Sequence, residues 1–117
     1  MKKVYYLSSC STCKRILNEL NLDGFDRQDI KEKAITHSQI EEMFELSMSY
    51  ESLFSKRAQK YKSMGLKEKA LTEDDYKNLI LKEYTFLKRP VFITSRKIFI
   101  GNSKKTIEAL KASLVDE

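Results

Sequence analysis

Apolar positions change their spacing along this chain, and each change marks an element. A compact run, Val4-Tyr5-Tyr6-Leu7, predicts a strand. Over residues 13–22 the spacing becomes helical, with Ile16, Leu17 and Leu20 on one face, and Asp23-Gly24 is expected to end that helix because glycine takes a left-handed cap without steric cost. Residues 25–30 read as a short second strand. Thr36-His37-Ser38-Gln39 has the form of a capping box, Thr36 as N-cap and Gln39 reaching back, ahead of Ile40, Met43, Phe44 and Ser47 at helical intervals. Residues 50–64 are less regular: Tyr50, Leu53, Phe54, Tyr61 and Met64 surround the basic stretch Lys56-Arg57-Ala58-Gln59-Lys60, and Gly65 interrupts the pattern. Thr72-Glu73-Asp74-Asp75 opens another helix with acidic residues in its first turn, followed by Tyr76, Leu79, Ile80 and Tyr84 on one side. Val91-Phe92-Ile93, a polar turn through Thr94, Ser95 and Arg96, and Ile98-Phe99-Ile100 read as a β-hairpin. Ile107, Leu110 and Leu114 then make a last amphipathic helix over 104–114, capped by Asn102 or Ser103.

The order is β-α-β, a helical block of roughly sixty residues, then β-β-α, and the block is long for a plain crossover. It reads as an insertion at about 34–88 in a single α/β domain spanning 1–117, built on a mixed four-stranded sheet flanked by helices. A chain of 117 residues suffices for one such core and not for two. Apolar residues at 41% and charged ones at 33% fit an ordinary soluble, helix-rich protein and exclude low-complexity disorder. No apolar run approaches the ~20 residues that cross a bilayer, so no membrane association is expected. The net charge of +5 permits attraction to anions but by itself selects no partner. No DNA-reading motif or basic stripe interleaved with aromatics occurs, so direct nucleic-acid binding is not expected. Met1-Lys2-Lys3 leads straight into the first strand without a basic-apolar-small leader, and the expected compartment is the cytoplasm.

Chemistry enters with Cys10-Ser11-Thr12-Cys13, which sets the chain's two cysteines one helical turn apart directly after the first strand. Unpaired N–H groups at a helix start stabilise a thiolate at Cys10, and Lys14 and Arg15 add positive charge. Cys13 can reach back, so that an attack by Cys10 is resolved as an internal disulfide. The reading requires that Cys10 be ionised at cellular pH, that neither sulfur be sealed in the core, and that the two can meet. Its rivals are a zinc site, for which the chain offers only His37 as a further soft ligand, a structural disulfide, which needs an oxidising compartment, and two inert core cysteines. His37 itself, in the first turn of a helix, is expected to face solvent. No Gly-rich phosphate loop is present, and no bound cofactor or metal is expected.

Residues 6–15 (YLSSCSTCKR), 54–66 (FSKRAQKYKSMGL), 88–93 (KRPVFI) and 100–107 (IGNSKKTI) together resemble the arsenate reductase/Spx family over essentially the whole chain. The resemblance implies a thioredoxin/glutaredoxin-like sheet with a helical subdomain inserted. It implies Cys10 as nucleophile, Cys13 as resolving thiol, and Arg57 and Arg89 as the guanidinium groups that stabilise the thiolate and a bound oxyanion. Pro90 matches a proline that is usually cis in such folds, which would turn residue 89 toward the helix start. Ser11, Thr12, Lys14 and Pro90 are the candidate substrate contacts. The implied activity is reduction of an oxyanion such as arsenate, or of a disulfide, with glutathione, glutaredoxin or thioredoxin as electron donor. The chain departs from glutaredoxin-coupled arsenate reductases in carrying Cys13, and in having Ile100-Gly101-Asn102 where they carry a further arginine. The CxxC arrangement is similar to the Spx branch, so a redox-sensing regulator that binds the RNA polymerase α subunit is the alternative.

Overall fold

Val4 and Tyr5 are neighbours in sequence, so in a strand they point to opposite faces, and both are buried. A strand covered on both sides belongs inside a sheet. The structure, a computed structural model that describes residues 2–115, puts it there. In chain order the elements are β1 (Lys3–Tyr6), α1 (Ser11–Glu19), β2 (Asp26–Asp29), α2 (His37–Ser47), α3 (Tyr50–Leu53), α4 (Gln59–Ser63), α5 (Glu73–Lys82), β3 (Val91–Ile93), β4 (Ile98–Ile100) and α6 (Lys104–Val115). Single 3-10 turns at Leu66–Glu68 and Tyr84–Phe86 follow α4 and α5. The strands form one mixed sheet in the order β2-β1-β3-β4, with β1 parallel to β2 and antiparallel to β3, and β3 antiparallel to β4. This is the mixed four-stranded α/β architecture that the pattern predicts.

The chain divides into two compact units, Met1–Lys33 with Arg89–Glu117, and Ala34–Lys88. The first holds the sheet, α1 and α6. Val4 and Phe92, paired across β1 and β3, pack with Ile16 and Leu17 of α1, Leu22, and Ile107 and Leu110 of α6. Phe25 meets Phe92 edge-on at 6.3 Å. Helix α1 ends at Glu19 and not at Asp23-Gly24 as expected. The reason is Leu22: it lies off the Ile16-Leu17-Leu20 face of a continued helix, and the chain buries it by turning extended at Leu20. Gly24, at φ +84°, serves the turn into β2 instead. Ser103 is the cap of α6, its Oγ accepting the Thr106 N–H at 3.2 Å.

In the second unit both anticipated helix starts are built as expected, Thr36 with Gln39 and Thr72 with Asp75 forming complete capping boxes. Phe54 is central, its ring 4.9 Å from those of Phe86 and Tyr76 and 5.9 Å from that of Tyr61. The irregular stretch resolves into two short helices, α3 and α4. Helix α3 is tied to α5 by Glu73, whose carboxylate accepts the N–H groups of Tyr50 (2.7 Å) and Glu51 (3.1 Å). No helix among the described residues is long and apolar enough to cross a membrane.

Candidate functional site

The chain leaves β1 through a tight turn closed by the Cys10 N–H, which donates to the Leu7 carbonyl at 3.0 Å. Cys10 is therefore the N-cap of α1, extended at φ −94° and ψ 112°, and its own carbonyl accepts the first helical bond from the Lys14 N–H at 3.1 Å. A sulfur in this position sits over amides that have no partner in the helix. Its geometry falls short of a regular side-chain cap bond, yet a diffuse thiolate needs only the partial charge that those amides supply.

Three residues on, Cys13 shares the inner face of α1 with Ile16 and Leu17 and is 0% exposed, while Cys10 is partly exposed. The requirement that neither sulfur be sealed is thus not met by Cys13, because i+3 on this helix is a core position; the requirement is stricter than the chemistry, since a resolving thiol has to reach Cys10 and not solvent. The requirement that the two can meet holds, since the Cys13 S–H donates to the Cys10 sulfur. Both thiols are free.

Electrostatics separate the two sulfurs. Partial burial alone would raise the Cys10 pKa; the Cys13 N–H and S–H, the Arg89 guanidinium and the Thr12 N–H outweigh it and hold Cys10 below its ordinary 9.0. Cys13 moves the other way. Burial pushes it up to about 11, despite a backbone hydrogen bond from Leu7, with its bond to Cys10 and the charge there adding to the rise and Arg89 opposing it. The pair is thus a more acidic Cys10 sulfur that accepts the S–H of a less acidic Cys13.

Arg89 is the cation acting most strongly on Cys10. It is partly buried, and the Arg89–Pro90 bond is cis, as the resemblance implies. Pro90 is buried and its carbonyl accepts the Gly101 N–H at 2.9 Å. Lys14 and Arg15, expected to supply charge, are exposed, and Arg15 pairs with Glu19 at 3.2 Å on the helix surface. Ser11 is exposed and Thr12 partly so. Arg57 belongs to the other unit, where it is exposed in the turn between α3 and α4. In the closing hairpin Arg96 and Lys97 are exposed in the turn closed by the Thr94 N–H on the Lys97 carbonyl (3.0 Å), and neither is assigned a role.

One residue of the surroundings is not among the sequence candidates. Asp29, at the end of β2, accepts the Ser8 N–H in the turn before Cys10 at 3.4 Å. No signal in the sequence marks it, since its bond to Ser8 exists only once β2 pairs in parallel with β1.

The ArsC family model matches residues 5–110. Among solved structures, a "possible arsenate reductase" from Streptococcus mutans UA159 is 30% identical, with TM-score 0.71, covering 94% of this chain and 97% of that one. A Staphylococcus aureus COL protein solved by NMR is 24% identical with TM-score 0.75, covering 93% and 97%. Arsenate reductase from Vibrio cholerae, 16% identical with TM-score 0.71, covers 93% and 94%. The more distant two speak for the fold alone, a thioredoxin-like sheet with helices. Among curated proteins none matches significantly.

Proposed function

From the premise that this chain belongs to the ArsC family, matched over residues 5–110, we propose that it is a thiol-dependent reductase with Cys10 as nucleophile and Cys13 as resolving thiol. The observation that carries the proposal is the Cys10 sulfur itself: held over the first amides of α1, beside Arg89, it is depressed in pKa and already bonded to the thiol that must follow it. The family and the similarity to the Streptococcus mutans protein support an arsenate-reductase-like reaction.

With a disulfide substrate, the Cys10 thiolate attacks one sulfur, forms a mixed disulfide and expels the other sulfur as thiolate. Cys13 then gives up its proton, attacks Cys10 and releases the remaining substrate thiolate. Two electrons pass to the substrate and the Cys10–Cys13 disulfide is left. With arsenate, Cys10 displaces an oxygen, lost as water, to give a sulfur–arsenic bond. When Cys13 attacks Cys10, that bond's electron pair stays on arsenic, which becomes arsenic(III). Glutathione, glutaredoxin or thioredoxin supplies the two electrons that restore the thiols, chemistry suited to the reducing cytoplasm.

The order of events is built into the pair. Once Cys10 is covalently bonded, its charge and its claim on the Cys13 proton disappear, and both are causes of the high Cys13 pKa. The resolving thiol thus becomes more acidic when it is needed. In this proposal Arg89 holds the anionic substrate, guanidinium being suited to oxyanions through its paired donors. Ser11, Thr12 and Lys14 add contacts at the helix start.

Turnover with arsenate, a glutathione mixed disulfide and a protein disulfide tests the proposal. Cys10→Ser should abolish activity, and Cys13→Ser should trap a Cys10 adduct or make turnover depend on glutathione. A Cys10→Ser variant as active as the wild type would overturn it. So would absence of turnover with every substrate combined with redox-dependent capture of the RNA polymerase α subunit, the behaviour of a regulator.

A further inference from the structure

Asp29 ends β2 in parallel register with Tyr6, the last residue of β1. Its backbone extends that pairing, since the next amide, that of Ile30, donates to the Tyr6 carbonyl at 2.9 Å. Its side chain does something else. Asp29 Oδ1 accepts the Lys31 N–H at 3.1 Å, which fixes the carboxylate against its own strand end, and the Ser8 N–H at 3.4 Å. The Ser8 hydroxyl donates to the same carboxylate. Ser8 is the second residue of the turn that the Cys10 N–H closes on the Leu7 carbonyl. The carboxylate therefore grips, through two donors of one residue, the turn that delivers Cys10.

We propose that Asp29 is a positioning residue for the Cys10 thiolate, fixing the Leu7–Cys10 turn so that the sulfur stands over the amides of Thr12 and Cys13. Charge alone argues against an acid here, since a carboxylate near a thiolate raises the thiolate's pKa. The benefit has to come from geometry. The carboxylate is itself kept ionised, its partial burial being outweighed by Ser8, by the Lys31 N–H and by the Lys31 charge. The groups that act on Cys10 remain Cys13, Thr12 and Arg89, and Asp29 works through the turn. The functional weight of this inference rests on the proposed role of Cys10.

The opposite signs of charge and geometry make the test decisive. The rate of Cys10 alkylation by iodoacetamide, followed against pH with the labelled site identified by mass spectrometry, reports the thiolate. Asp29→Ala should raise the apparent Cys10 pKa by about one pH unit, roughly tenfold less thiolate on the acid side of the titration. Asp29→Asn, which keeps an acceptor oxygen without the charge, should titrate close to the wild type or slightly below it. Asp29→Glu keeps the charge but displaces the grip, and should shift upward by less than Asp29→Ala. A folded Asp29→Ala protein whose Cys10 titrates as in the wild type, or lower, overturns the inference. If that variant does not fold, a Glu variant indistinguishable from the wild type does so. Wild-type Cys10 titrating at or above 9.0 would instead sink the reading of Cys10 as the reactive thiolate.

Discussion

A guanidinium, two amides and a neighbouring thiol decide the state of the Cys10 sulfur. Of these, the cation is the most easily removed. Arg89→Ala should move the alkylation profile of Cys10 to higher pH by about 0.5–1 unit, leaving roughly three- to tenfold less thiolate on the acid side of the titration. A profile that does not move would remove Arg89 from the site. Stability follows the same shifts with opposite signs. The depressed Cys10 stabilises the fold above the ordinary thiol value and loses that contribution as pH falls through its own lower value. The raised Cys13 contributes below 9.0 and loses its contribution as pH climbs to about 11. At this scale the cysteines are readable because their relation is local, three positions on a helix. The burial of Cys13 was available too, from its place on the face of Ile16 and Leu17. Arg89 is reached from sequence only through the resemblance, and Asp29 not at all, because its bond to Ser8 spans 21 residues and exists only when β1 and β2 pair.

Among the elements, helix starts carry the clearest signals. The Thr36 hydroxyl accepts the Gln39 N–H at 3.1 Å while the Gln39 side chain returns a bond to the Thr36 N–H at 3.1 Å, and both are set by four consecutive residues. Thr36→Ala should cost about 1 kcal/mol, read as a lower urea midpoint with an unchanged slope. Helix ends are less legible. Asp23-Gly24 looks like a cap for α1, yet the helix stops at Glu19, because the demand for burial at Leu22 outranks the local preference at Gly24. The hairpin β3–β4 was readable as two apolar triplets around a polar turn, and it forms as such. The short α3 and α4 were not, since α3 depends on a carboxylate of α5, Glu73, for its first amides.

For the molecule as a whole, the sequence order of strands and helices was enough for the sheet's composition, and the double burial of Val4 and Tyr5 accounts for β1 lying inside it. Which strand lies on which side of β1 comes from contacts across the chain, Val4 with Phe92 and the cluster around them, that no window of residues contains. The pairing of a half-open sulfur with a closed one has a further consequence for the reduced chain. A blocking reagent such as iodoacetamide should consume one thiol from the native protein and two once it is unfolded, because only Cys10 meets solvent. An aromatic disulfide reagent should instead liberate two equivalents of its chromophore from the native protein, the second expelled from within as Cys13 closes on Cys10. Judged by how many thiols it has, the molecule gives one answer to a reagent that only caps and another to one that oxidises.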